Sequence, residues 1–197
     1  MYKDREKNFA IQKDIEHLQS ELIGDRFKGA SLSSIHSGQH VDQVIEWLKN
    51  NKNFLVYLGN PGCGKTYFCS SLIPWIHLKL RTYRYWKESD LMKKLRGGIS
   101  DIKGSYLQTL EYMIDHQMVM YDDMGSTDMT EWRKEIISEL INNRYESQKP
   151  TVITSNMTRE EIQNQFGKRI YSRIFSKENT ILEFHDSADL RQVNFPK

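Results

Sequence analysis

The run Gly59-Asn60-Pro61-Gly62-Cys63-Gly64-Lys65-Thr66 fits the pattern G-x-x-x-x-G-K-[S/T] and stands directly after the apolar stretch Phe54-Leu55-Val56-Tyr57-Leu58. Residues 66 to 80, which follow it, have helical character. A buried strand, a glycine-rich loop and a helix in that order form a phosphate-binding unit, and the unit dictates a parallel α/β sheet around it. Glycines let backbone N–H groups curl around phosphate oxygens, and the helix N-terminus adds its partial positive charge. In such a unit Lys65 reaches the β- and γ-phosphates of ATP and the Thr66 hydroxyl ligates Mg²⁺, with Tyr67 counted beside them in the nucleotide-binding group. The alternative, a glycine turn without a ligand, does not account for the flanking strand and helix.

At 197 residues with 38% hydrophobic side chains, the chain is about one domain long and can bury one large core. Its 28 Lys plus Arg against 26 Asp plus Glu leave a formal charge of +2, so any basic surface must arise by local clustering. The two cysteines, Cys63 and Cys69, are too few and too close to staple a fold or to bind a four-ligand zinc. The N-terminus opens on Lys3, Asp4, Arg5, Glu6 and Lys7, and no apolar run reaches bilayer length. A cytoplasmic chain without a membrane partner is expected.

In residues 5 to 26 the apolar positions Phe9, Ile11, Ile15, Leu18 and Leu22 make a narrow stripe on a charged helix. Such a helix packs on its own domain, pairs with its own kind, or docks on another protein. Residues 1 to 25 are therefore read as an N-terminal helical arm and 26 to 197 as the nucleotide-binding domain. Gly24 and the polar stretch from Gly29 to Gln39 read as the hinge between them, with Ser37-Gly38 as a turn. Helices are expected over 41–50, 66–80, 88–96, 105–117, 130–147 and from Thr158 onward, where Thr158 and Glu161 form a capping-box pattern. Pro74 should end or bend the second of these. Strands are expected over 54–58, 82–86, 118–123, 151–155 and 179–185, which gives an α/β fold with a five-stranded parallel sheet flanked by helices.

Met118-Val119-Met120-Tyr121-Asp122-Asp123 is an apolar strand ending in two carboxylates about 55 residues beyond the phosphate loop. Asp122 suits the metal side of the nucleotide, and Asp123 can orient or deprotonate the attacking water. At the end of the fourth strand, Thr154-Ser155-Asn156 places Asn156 to hold that water if this strand neighbours the phosphate-loop strand. Arg169 and Arg173 lie one helical turn apart, and a guanidinium suits developing phosphoryl charge. Solvated turns and a basic helix face are the structural alternatives for these groups. Lys93, Lys94, Arg96 and Lys103 surround Gly97-Gly98, with Tyr106 and Tyr112 nearby, an interleaving that suits a single nucleic-acid strand or, equally, a solvated helix pair.

Taken together, the segments Gly59 to Thr66, Val119 to Gly125, Asn143-Arg144-Tyr145 through Pro150 to Thr154-Ser155-Asn156, Arg169 to Arg173, and Asp189-Leu190-Arg191 resemble the AAA+ ATPases. Within that group their order and spacing over residues 26 to 192 are similar to the DnaC/DnaI-type replicative helicase loaders and their DnaA-like relatives. The resemblance implies ATP hydrolysis, with Asn156 as first sensor, Arg173 as the finger offered to a neighbouring subunit's ATP, Arg169 as a weaker finger, and Arg191 as second sensor. It also implies the AAA+ strand order, little or no C-terminal lid, self-association through an ATP-site interface, a replicative helicase as partner, and single-stranded DNA held by the helices between the second and third strands. Two departures stand out. The N-terminal segment is about 25 residues without zinc ligands, and the residue after the metal-side acid is Asp123 where many AAA+ motors use glutamate, which suggests slow hydrolysis. The same motifs admit a transposition-helper ATPase, a small viral-type helicase, a P-loop kinase, or a module that keeps ATP as a structural ligand.

Overall fold

The computed structural model describes residues 2–34, 38–80, 82–100, 105–126 and 130–184. Twelve elements follow one another: α1 (Tyr2–Leu22), α2 (Gly38–Asn50), β1 (Phe54–Gly59), α3 (Lys65–Lys79), β2 (Tyr83–Lys87), α4 (Glu88–Ser100), α5 (Ser105–Asp115), β3 (Met118–Met124), α6 (Glu131–Glu146), β4 (Thr151–Ser155), α7 (Arg159–Ile174) and β5 (Thr180–Phe184). All four strand pairings are parallel, and the order across the sheet is β2-β3-β4-β1-β5. This is the AAA+ order expected from the resemblance, with β4 inserted between the phosphate-loop strand and the strand that carries the two carboxylates.

The sheet separates two apolar layers. On one face Phe54, Val56, Leu58, Val119, Tyr121 and Ile153 meet α4, α5, α6 and α7. On the other, Leu55, Tyr57, Met118, Met120 and Val152 meet α2, α3 and the C-terminal part of α1. Strand side chains alternate between faces, so a strand covered on both sides needs apolar residues at every position. That is why β1 is one uninterrupted apolar run, buried at all six positions. β2 forms an edge and is buried at none, which explains its mixed composition, Tyr83-Arg84-Tyr85-Trp86-Lys87.

Local sequence accounts for the helix boundaries. Thr158 caps α7 by accepting from Glu161 N–H while Glu161 accepts from Thr158 N–H, the reciprocal box expected from the spacing. α7 kinks at Gly167 (φ 79°, ψ 169°), so Arg169 and Arg173 occupy a short second segment. α6 turns Ile136, Ile137, Leu140 and Ile141 into the core. Pro74 does not end the helix, since α3 runs through it from Lys65 to Lys79. Its N-terminal neighbours are held from outside the helix, because Gln19 Nε2 of α1 donates to the Ser70 carbonyl that Pro74 cannot serve (3.0 Å). Gln19 is fully buried and Ile15 is 7% exposed, so the C-terminal half of α1 lies against α3, whereas Ile11 is 38% exposed. Gly38, expected in a turn, opens α2. Ser37, Lys103, the side chain of Tyr106, His185 and the segment Asp189-Leu190-Arg191 lie outside the described residues. No helix among the described residues is long and apolar enough to cross a membrane.

Candidate nucleotide site

The phosphate loop joins the buried end of β1 to the first turn of α3. Gly64 precedes α3 with φ 98°, a left-handed conformation that side chains other than glycine rarely adopt, and Gly62 (φ 89°) shares it. Cys63 is buried between them, its carbonyl accepting from Tyr57 OH (3.1 Å). Asn60 and Pro61 are exposed at the loop tip. At Gly59 a Cβ would stand 2.6 Å from Cys63 Sγ, so the loop closes only because that position has no side chain. Lys65 Nζ donates to the carbonyls of Gly59 (2.8 Å) and Asn60 (3.0 Å), which holds its ammonium inside the loop. Tyr67 points away from the loop, its hydroxyl accepting from Ser31 N–H (3.3 Å).

Across the sheet the two carboxylates sit on a bulge. Tyr121 of β3 pairs with Ile153 of β4 and Met124 pairs with Ser155, so β3 carries one extra residue there. Asp123 takes a left-handed φ of 66°, and its N–H donates to the Thr154 hydroxyl (2.9 Å) rather than to the strand ladder. A regular strand would send consecutive side chains to opposite faces. The bulge instead ties both to the phosphate-loop end of β4. Asp122, 1% exposed, accepts from Thr66 Oγ1 (2.9 Å) and Tyr85 OH (2.7 Å) on one oxygen and from Thr154 Oγ1 (2.5 Å) and Cys69 Sγ (3.9 Å) on the other. Burial, reinforced by the Asp122 carboxylate, pushes the Cys69 thiol and the Tyr85 phenol well above their ordinary values, so both remain protonated donors. Asp123 accepts from Asn156 Nδ2 (3.1 Å) and lies 3.9 Å from Lys87 Nζ. The Asn156 Oδ1 is buried and takes no hydrogen bond from a described residue.

Lys65, Thr66, Asp122, Asp123 and Asn156 are thus gathered at the C-terminal ends of β1, β3 and β4. Thr66 and Asp122 supply oxygen donors of the kind Mg²⁺ takes, and Lys65 sits where a phosphate would meet it. The arginines are not gathered there. Arg173 packs at the opposite end of the sheet: its carbonyl accepts from Asn179 Nδ2 (2.7 Å), and Asn179 Oδ1 accepts from Phe54 N–H at the start of β1 (3.0 Å). Its guanidinium pairs with Glu146 (3.2 Å) and lies over the Tyr145 ring. Arg169 is exposed on the same segment.

Sequence reasoning missed several supports. Tyr85 and Lys87 reach the carboxylates from β2, and only the strand order, with β2 beside β3, reveals it. Glu88, wholly buried, accepts from Tyr121 OH (3.1 Å) and Gly125 N–H (2.7 Å) and fixes the chain just after the bulge. Among the basic group, Lys94 stacks on Trp86, Arg96 on Trp132, and Lys93 pairs with Asp90 (3.7 Å). Arg84 and Lys94 with Tyr85, Trp86, Thr109 and Tyr112 line a cavity of about 480 Å³ at the β2 edge.

A model of the IstB-like ATP binding protein family matches residues 37–175, a span that holds the phosphate loop, both carboxylates, Asn156, Arg169 and Arg173. The chain belongs to the IstB-like ATP-binding family. This IstB-like chain is 25% identical over 173 residues to the replicative helicase loader DnaI of Bacillus subtilis, covering 82% of the chain and 53% of DnaI. It is 22% identical over 132 residues to the replicative helicase loader DnaC of Escherichia coli, covering 67% of the chain and 54% of DnaC. The chain therefore spans about half the length of these curated relatives. A crystal structure of the DnaC helicase loader superposes with a TM-score of 0.69 at 24% identity, over 80% of this chain and 98% of that one. The replication initiator DnaA bound to AMPPCP and single-stranded DNA superposes with a TM-score of 0.66 at 17% identity, over 78% of this chain and 49% of DnaA. The α/β AAA+ core and the nucleotide-binding class of the IstB-like chain follow from these matches.

Proposed function

We propose that this chain is an ATP-switched loader of a replicative DNA helicase onto single-stranded DNA, hydrolysing Mg-ATP slowly and acting as an oligomer whose subunits complete one another's sites. The observation that carries the ATPase reading is the hydrogen-bonded path from Thr66 through Asp122 and Thr154 to Asp123 and Asn156. It links the magnesium side of a phosphate loop to a carboxylate and an amide that can hold water. Mg²⁺ would supply charge neutralisation of the phosphates, with Thr66 and Asp122 as its protein donors. Lys65 binds the phosphates, Asp123 accepts the proton of the attacking water, and Asn156, which donates to Asp123 through Nδ2, helps hold that water. Aspartate in place of a longer glutamate reaches less far toward the water, which supports a slow switch.

Arg173 supports action in trans. It stands at the start of β1 and the phosphate loop at its end, so the six residues of the strand separate the two. At about 3.3 Å per residue that is roughly 17 Å, beyond the reach of one side chain. Only a neighbouring subunit's nucleotide can meet this guanidinium, with Arg169 next to it as a weaker second and Arg191 as the second sensor. The loader assignment draws on the names of the DnaC and DnaI relatives. DNA contact draws on Lys94, Arg96 and Tyr112 along α4 and α5. Residues 1 to 25 act as the arm and 26 to 197 as the ATPase domain.

The test is capture of host proteins by the tagged chain with a slowly hydrolysed ATP analogue and with ADP, followed by loading of the captured partner on circular single-stranded DNA. Recovery of a hexameric replicative helicase that loads only in the ATP state is expected. Recovery of a transposase would move the function to a transposition helper, and strand separation by the chain alone would make it a helicase.

A further inference from the structure

A proline in mid-helix leaves the carbonyl four residues earlier without its donor, and its ring crowds that carbonyl. In α3 the proline is Pro74 and the carbonyl belongs to Ser70, one turn beyond the phosphate-loop residues Lys65 and Thr66. The missing donor comes from another element: Gln19 Nε2, wholly buried, donates to Ser70 O (3.0 Å) and to Ala30 O (3.0 Å). Gln19 Oε1 accepts from Gly29 N–H (2.8 Å). Two carbonyls that need a donor and one N–H that needs an acceptor orient the amide in a single way. Two further bonds stitch the same segment to α3, Ser70 Oγ to Phe27 O (2.9 Å) and Ser31 N–H to the Tyr67 hydroxyl (3.3 Å). Beneath them Leu18 and Leu22 of α1 pack against the core on that face of the sheet, and Ile15 is buried.

We propose that Gln19 is a positioning residue for the nucleotide site, replacing the hydrogen bond that Pro74 removes, so that α1 must be docked for the first turns of α3 to hold Lys65 and Thr66 against Asp122. Displacement of α1, by a partner that takes its apolar stripe, then lowers nucleotide affinity. This rests on the nucleotide-binding reading, and it goes further by making the N-terminal helix a control element of that site. A proline in α3 makes the helix dependent on a donor from outside; any residue with an N–H at position 74 would make it self-sufficient.

The test is titration of the full chain with a fluorescent ATP analogue for wild type, Gln19→Met, Pro74→Ala and the double variant, with urea unfolding measured alongside. Gln19→Met keeps the side-chain volume and removes the donor. It is expected to weaken binding about five- to tenfold. Pro74→Ala supplies an N–H for Ser70 O, so that variant and the double variant should both bind within about twofold of wild type, although the double variant unfolds at lower urea because Ala30 O and Gly29 N–H still lack their Gln19 partner. Wild type that binds no nucleotide would overturn the nucleotide reading itself. Wild-type affinity in Gln19→Met, or a double variant no tighter than Gln19→Met, overturns the role of Gln19 alone. Should Gln19→Met not fold, the comparison passes to Pro74→Ala against the double variant: equal affinity supports the coupling, and a weaker or unfolded double variant refutes it.

Discussion

Lys65 and Arg144 show how differently two buried cations are used. Lys65 keeps its ammonium inside the phosphate loop on two backbone carbonyls, bonds that a phosphate exchanges for stronger charge-assisted ones. Lys65→Ala should lower affinity for ATP by on the order of 100-fold in equilibrium titration while leaving the unfolding midpoint nearly unchanged. Arg144 is fully buried and donates five hydrogen bonds, to Thr151 Oγ1 and the carbonyls of Met113, Ile114, His116 and Pro150. Burial pulls its guanidinium down to about 9, so it stays charged at neutral pH. It fastens the end of α5 and the entry to β4 onto α6. Arg144→Met should cost about 3 kcal/mol or more in urea unfolding, because those carbonyls lose their donor. The phosphate loop was readable as a run of eight residues. The task of Arg144 was not, since a lone arginine in a charged helix looks solvated until the carbonyls around it are in place.

At the scale of elements, the β3 bulge decides what the acidic strand end can do. One extra residue and one hydroxyl convert two carboxylates of opposite faces into a pair at the phosphate loop. Thr154→Val keeps the shape and removes the hydroxyl, leaving Asp123 N–H without its acceptor and one Asp122 oxygen with only the Cys69 thiol. A loss of about 1–3 kcal/mol in stability is expected, together with weaker Mg²⁺ dependence of nucleotide binding in titrations with and without the metal. The strands themselves were legible, because β1 and the Met118–Tyr121 part of β3 are covered on both faces and so are apolar without a break. The start of α7 was legible from its capping box. Continuity of α3 was not: propensity counts Pro74 as a breaker, and the compensating donor lies 55 residues earlier in the chain.

For the whole molecule, parallel strands put every strand C-terminus at one end of the sheet, so a site assembled there excludes anything at the other. Arg173 of α7 lies at that other end, and under the proposed reading, in which it is the finger, the molecule is incomplete as a catalyst by itself. Arg173→Ala should bind ATP normally yet lose stimulation by self-association. Mixing it with Lys65→Ala should restore activity, measured as turnover against the ratio of the two. Failure at every ratio would remove the support for action in trans.

Sequence by itself determined the phosphate loop, the alternation of strands and helices, the acidic strand end and the family they resemble, because each is a local pattern imposed by backbone geometry or by burial on both faces. Tertiary structure decided which strands are neighbours, and with it that Tyr85, Thr154 and Thr66 converge on Asp122. It also decided that Arg173 faces away from its own loop and that Gln19 completes α3. The physical reason is common to all of these. A hydrogen bond between distant segments leaves no periodicity in either one, and its partners become identifiable only when the fold brings donor and acceptor within about 3 Å.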